Sequence, residues 1–255
     1  MADLGYWATV VALIASAYVA IASVVLGRRS NATLLESVRN GLVVAAVSTT
    51  VACAVLMYLL LVRDFGVVYV YEHVSTYLPT AYTVSAFWAG QEGSLLLWLW
   101  FAVLLSVVVV LNKEFRREPS APYAIATLAF CQAFLALVLL ATSNPFRVQS
   151  AVPLEGQGLN PLLQNVWMVI HPPVVFAGYA AYAVPFALAI GGLVSGRLGN
   201  NWLRMVRRWA LIAWLFLGAG ILMGAWWAYL ELGWGGYWGW DPVENSSLIP
   251  WLTGT

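Results

Sequence analysis

Six stretches of this chain, at about 6–26, 41–62, 94–111, 122–141, 172–194 and 209–230, are apolar over close to the length a helix needs to cross a bilayer core. In hydrocarbon every backbone polar group must be satisfied within the protein, so such runs are constrained to be helices. A further apolar run begins near Ser246 and continues toward Thr255. Only 9% of the residues are charged, against 62% hydrophobic, where a water-soluble domain has about a quarter charged. The expected fold is therefore an all-α, polytopic transmembrane helix bundle in a single membrane domain (1–255), with six full spans and the start of a seventh.

The basic residues orient the bundle. Alternate connections hold Arg28, Arg29 and Arg39; then Lys113, Arg116 and Arg117; then Arg197, Arg204, Arg207 and Arg208. The opposite connections hold only Arg63 and Arg147, so ten of the twelve basic residues share one side. Cationic loops stay in the cytoplasm, which puts the N-terminus outside and has the seventh helix entering from outside. The opening MADLGYW has no basic region, and the first helix reads as a retained span. Cys53 and Cys131 lie in different spans without CxxC spacing and read as small packing residues. The segments 63–93 and 142–171 are the long ones, have room for interfacial helices, and make the outer face the place to look for function.

One outer loop stands apart: GWGGYWGWDPVEN, 233–245. Trp234, Tyr237, Trp238 and Trp240 fall within seven residues, separated by Gly235, Gly236 and Gly239. Interfacial belts also enrich Trp and Tyr, but they spread the rings over helix ends. Rings on a backbone that lets a ligand approach closely suit a large, flat, apolar partner such as a porphyrin. Asp241-Pro-Val-Glu244 has the pattern of a capping box, so these two acids are read first as starting the next helix.

Histidine occurs twice. His171 stands in VWMVIHPPVVFAGY, and a residue before proline is pushed out of the α region. The fifth span is thus expected to start at Pro172 or Pro173, with His171 at its outer mouth, on the side of the aromatic loop. There it is a candidate axial ligand for haem iron. His73, beside Glu72, reads as a hydrogen-bonded bystander. Glu92 and Ser94 are candidates to cap the third span. Arg147 is suited either to an acidic ligand group such as a propionate or to Glu155. Gly220 and Gly224 have the spacing of close helix packing.

Three of these segments together resemble the CcmF family of cytochrome c haem lyase subunits: WAGQEGSLLLW (88–98), NPLLQNVWMVIHPPVVFAGY (160–179) and the tryptophan-rich GAWWAYLELGWGGYWGWDPVENSSLIPWLTGT (224–255). The resemblance implies cytochrome c biogenesis in a bacterial or archaeal plasma (inner) membrane. It implies that the outer-face loop, 231–247, holds haem through Trp234, Tyr237, Trp238, Trp240 and Asp241, with His171 as the axial ligand of the iron. It implies that haem comes from a CcmE-like haem chaperone and is presented, with CcmH/CcmI-like subunits, to apocytochrome c for thioether attachment at CxxCH. Family members usually continue for several hundred residues more. The second outer histidine and the separate haem b site lie beyond Thr255 in them, and the chain here is expected to be either a truncated product or half of a split protein whose missing half a separate chain supplies. A non-catalytic haem-binding or haem-transport module is the alternative. An ion-transporter subunit, which calls for ionisable groups inside the spans, ranks below both, and no feature suggests nucleic acid.

Overall fold

The computed structural model describes residues 1–29, 31–233 and 235–255. Its helices are α1 (Ala2–Arg28), α2 (Ala32–Val62), α3 (Val68–His73), α4 (Thr80–Ser85), α5 (Gln91–Leu111), α6 (Lys113–Arg117), α7 (Ala121–Ala141), α8 (Val166–Ser195), α9 (Asn200–Glu231) and α10 (Pro242–Thr253). Six of them, α1, α2, α5, α7, α8 and α9, are long and apolar enough to cross a membrane. The protein is a polytopic helix bundle, as its apolar runs require.

The first helix shows how the bundle is held. Its buried side is a run of small residues, among them Gly5, Ala8, Ala12, Ala15, Ser16 and Ala22. Its outward side carries Trp7, Val11, Ile14, Tyr18, Ile21 and Val25. Large apolar groups gain nothing by leaving lipid for protein, whereas small ones let backbones approach and pack. Both α2 and α7 pack against α1, and at its edge the Tyr18 hydroxyl meets Ser37 Oγ of α2 (2.5 Å). Helix α5 lies against α2, α7 and α8, and α8 in turn packs on α9. Fully buried Gln132 on α7 donates to the Ala102 carbonyl (3.2 Å) and to Ser106 Oγ (2.5 Å) on α5, a polar tie in an apolar interior.

All six spans begin before their apolar runs do, and two of them well before: α2 at Ala32, not 41, and α9 at Asn200, not 209. The early turns that precede those runs carry Glu36 and Arg39, and Arg204, Arg207 and Arg208, so the helices project beyond the apolar stretch at the basic end. Asn31 starts α2 by accepting from the Thr33 and Leu34 amides (2.9 and 3.2 Å).

At the opposite end the two long connections, the first of which carries the short helices α3 and α4, pair with each other. The Val68 amide donates to the Arg147 carbonyl (2.9 Å), Gln149 to Gly66 (3.0 Å) and Gln157 to Tyr71 (2.8 Å). Val70, Val74 and Tyr69 are buried beneath them. The Tyr69 hydroxyl donates toward the Ala86 and Phe87 carbonyls (2.9 Å each) and accepts from the Gly90 amide (3.1 Å). One phenol thus fixes the turn that leads into α5. His73 is partnered by Tyr69, not Glu72: its ring stacks on the phenol with centroids 4.3 Å apart, and Nδ1 lies 2.8 Å from the Tyr69 carbonyl.

Candidate functional site

The site is built on the beginning of α8. Asn165 caps that helix, its Oδ1 accepting from the Trp167 amide (2.8 Å), while its Nδ2 donates to Glu231 Oε1 (2.5 Å) at the end of α9. The two helix ends are thereby joined. The helix starts at Val166, before the Pro-Pro pair, so His171 lies in its second turn and not at its mouth. Proline 172 has no N–H for the Met168 carbonyl. The indole N–H of Trp88 points at that oxygen instead, at a long 3.4 Å. A partner from another segment lets the helix pass through a sequence that, taken locally, reads as its start.

That extra length sets the height of His171. Its Nδ1 is 2.8 Å from the Gly220 carbonyl on α9. A carbonyl only accepts, so Nδ1 carries a proton, and in the neutral ring the lone pair is on Nε2. No described residue hydrogen-bonds to Nε2. Two glycines of α9 make the approach possible. A Cβ on Gly220 would lie 2.5 Å from Val175 Cγ2, and one on Gly224 would lie 2.5 Å from His171 Cε1.

His171 faces a cavity of about 760 Å³ between α5, α8, α9 and α10. Trp88, Gly90, Gln91, Ser94 and Trp98 form one wall, Phe176 and Tyr179 a second, Trp227 and Ala228 a third. Trp98 lies against Tyr179 and Phe176, with ring centroids 5.4 and 6.3 Å apart. The loop before α10 closes the cavity with Trp238 and Asp241. Trp238 Nε1 is buried and has no hydrogen-bond partner among the described residues, a donor placed where an anionic group would satisfy it.

Of the residues singled out from the sequence, His171, Trp238 and Asp241 meet at this cavity. Tyr237 does not line it; it stacks on Tyr229 (4.4 Å between centroids, 10° between planes) and beside Trp226. Trp240, 70% exposed with φ of 58°, stands edge-on to Trp238 with centroids 6.0 Å apart. Trp234 lies outside the described residues. Asp241 is the N-cap of α10, Oδ1 accepting from the Glu244 amide (2.7 Å), and the capping box is complete. Glu244 Oε2 accepts from the Asp241 amide (3.4 Å) and also from the Gly239 amide (2.7 Å), so the cap reaches back into the glycine loop.

The cap of α5 comes out differently from the sequence expectation, and of the two readings of Arg147 the pairing with Glu155 does not form among the described residues. Gly90, not Glu92 or Ser94, is the N-cap of α5, and Ser94 Oγ donates to the Trp88 carbonyl (2.9 Å). Glu155 is held by the Thr76 and Gly156 amides (2.7 and 3.1 Å), and these bonds, Thr76 first, keep its carboxyl below the usual range. Arg147 makes no ion pair among the described residues. In the sequence the α5 wall shows only as the motif WAGQEGSLLLW. Its role in the site had no local signal, because it depends on the meeting of α5 with α8.

The arrangement fits a haem: room for a flat ring, aromatic walls, a neutral imidazole with a free Nε2, and a buried N–H without a partner. A family model described as cytochrome c assembly protein matches residues 88–255, which span the α5 wall, His171 and the aromatic loop. The chain belongs to that family. It is 41% identical over its whole length to the cytochrome c-type biogenesis protein CcmF of Haemophilus influenzae, of which it covers 40%. It is 40% identical, over 99% of the chain, to the CycK protein of Rhizobium meliloti, of which it covers 37%. A solved structure of a cytochrome c haem lyase CcmF superposes on 99% of the chain with a TM-score of 0.85 at 33% identity, and the match takes in 40% of that structure. The chain thus spans about 40% of the length of the first of these relatives.

Proposed function

We propose that this chain holds haem on the outer face of a bacterial or archaeal plasma membrane and presents it to apocytochrome c, as part of a haem lyase. The observation that carries the reading is the fixed tautomer of His171, whose free Nε2 belongs to a ring lining an aromatic cavity. A histidine held through Nδ1 by a backbone carbonyl is oriented and made more basic at Nε2, as metal-ligating histidines commonly are. Trp238 and the α5 rings supply stacking surface, and the indole N–H of Trp238 is suited to a propionate. Tyr237, braced on Tyr229, and Asp241, as cap, hold the ends of the loop in place; Trp234 and Trp240 complete the aromatic set within 231–247. The gathering of ten of the twelve basic residues at the other end of the bundle supports an outside N-terminus and an outside site.

The substrate haem supplies the vinyl carbons to which the two thiols of CxxCH add. What the chain contributes is orientation: a ring held still with its edge free lowers the entropic part of the barrier. A CcmE-like haem chaperone is the donor, CcmH/CcmI-like subunits and apocytochrome c are the further partners, and the remainder of the relatives' length comes from more polypeptide or a separate chain. The reading is tested by co-expression with a haem chaperone, purification, and absorption spectra of the oxidised and reduced protein beside His171→Ala and Trp238→Ala. A haem spectrum that shifts in the first variant and weakens in the second supports it. Identical spectra in all three contradict it. A non-catalytic haem-transport module would pass this test but fail to form thioether bonds on a CxxCH acceptor in reconstitution with the remaining lyase subunits.

A further inference from the structure

A second cavity, of about 720 Å³, lies at the basic end of the bundle, where the ends of α1, α5 and α8 meet the beginnings of α2 and α7. Its apolar wall includes Leu26, Leu35, Val110, Ile125 and Val194. Leu35 and Val194 are exposed, so the wall continues onto the surface that faces lipid. Its polar part carries Arg116 and Arg197.

Neither arginine has a carboxylate within ion-pair distance among the described residues. The one acid lining the cavity, Glu118, is already engaged: its Oε1 accepts from Asn201 Nδ2 (2.7 Å), and Asn201 Oδ1 accepts from Arg204 (2.8 Å). Asn201 thus couples that carboxylate to a different cation. Two unpaired guanidinium groups beside an apolar wall open to lipid have a specific complement, an anion joined to hydrocarbon. Guanidinium binds phosphate oxygens well because its N–H groups form a planar fork. Basic recesses between transmembrane helices suit acidic lipid headgroups for the same reasons.

We propose that this cavity binds an anionic phospholipid, with the phosphate on Arg116 and Arg197 and an acyl chain along Leu26, Ile125 and Val194. The site is independent of the haem reading, being at the opposite end of the spans. A bound lipid would fasten the ends of α1, α7 and α8 to one another at the membrane surface.

The test uses the full protein extracted from its membrane, exchanged into detergent, and titrated with phosphatidylglycerol or phosphatidylethanolamine under native mass spectrometry. Two cations at a membrane surface give a preference for the anionic lipid of roughly thirtyfold. Arg116→Gln/Arg197→Gln is expected to abolish that preference, and Arg116→Lys/Arg197→Lys to restore part of it. Arg28→Gln/Arg29→Gln removes the same charge from the same end but from residues outside the cavity, and is expected to keep the preference. Equal binding of the two lipids by the wild type, or equal loss in both Gln pairs, overturns the proposal. So does displacement of the lipid by glycerol 3-phosphate on even terms, which would make the site one for soluble phosphates.

Discussion

His171 Nδ1 and the Gly220 carbonyl oxygen are 2.8 Å apart across the contact of α8 with α9. The bond does two things at once. It selects the imidazole tautomer, and it ties the height of the histidine to the packing of two spans and not to a loop. Anything that spreads the two helices should therefore act on the site before it acts on the fold.

Gly224→Ala is the smallest such change. Alanine favours a helix over glycine by about 1 kcal/mol, yet the added Cβ would lie 2.5 Å from His171 Cε1. The ring is pinned through Nδ1 and cannot yield cheaply, and overpacking costs about 1–3 kcal/mol. Crowding should win. The variant is expected to keep its helical circular dichroism and lose the wild-type haem spectrum. Retention of that spectrum would show that the ring moves freely.

Asp241 separates capping from chemistry. Asparagine is as good an N-cap as aspartate, while alanine costs about 1 kcal/mol. If the carboxylate serves the loop by accepting from the Glu244 amide, Asp241→Asn should bind haem like the wild type. Asp241→Ala should bind less and expose 233–240 to proteolysis. Equal loss in both would assign the charge itself a role at the cavity.

Tyr69 bridges three backbone groups with one hydroxyl. Tyr69→Phe takes this bond from all three and leaves the Gly90 amide without its acceptor, though the Ala86 carbonyl keeps the Ala89 amide; the cost is about 1–3 kcal/mol, and the hydrogen-exchange rate of the Gly90 amide should rise. Burial also pushes the phenol's pKa up. The folded state then holds its proton where the unfolded state releases it. Stability from this group is full below about pH 10 and is lost as pH rises beyond that. Alkaline melting curves of wild type and Tyr69→Phe should converge above that pH; parallel curves would mean the hydroxyl is not buried in solution.

The spans were legible because apolar length is a property of the segment alone. The capping box at Asp241 and Glu244 was legible for the same reason: donor and acceptor lie three residues apart. What escaped depends on distant partners. The sequence pattern puts the start of α8 at Pro172 or Pro173 rather than Val166, because the Trp88 N–H that meets the Met168 carbonyl comes from another segment. The cap formed by the two long connections rests on pairing such as Val68 with Arg147, far apart in sequence. The early turns of α2 and α9 carry charges, and a hydropathy reading stops where charges begin. At the site itself, rings in one loop suggested one platform, whereas the folded loop sends Trp238 to the cavity and turns Tyr237 onto Tyr229.

The central claim, that His171 Nε2 is the group offered to iron, is tested most directly by ligand replacement. His171→Gly leaves a space at the end of the cavity that imidazole can enter. With haem loaded by the chaperone, the variant should show an altered spectrum that returns to the wild-type form on adding millimolar imidazole. A wild-type spectrum in the glycine variant before any imidazole is added would contradict the account.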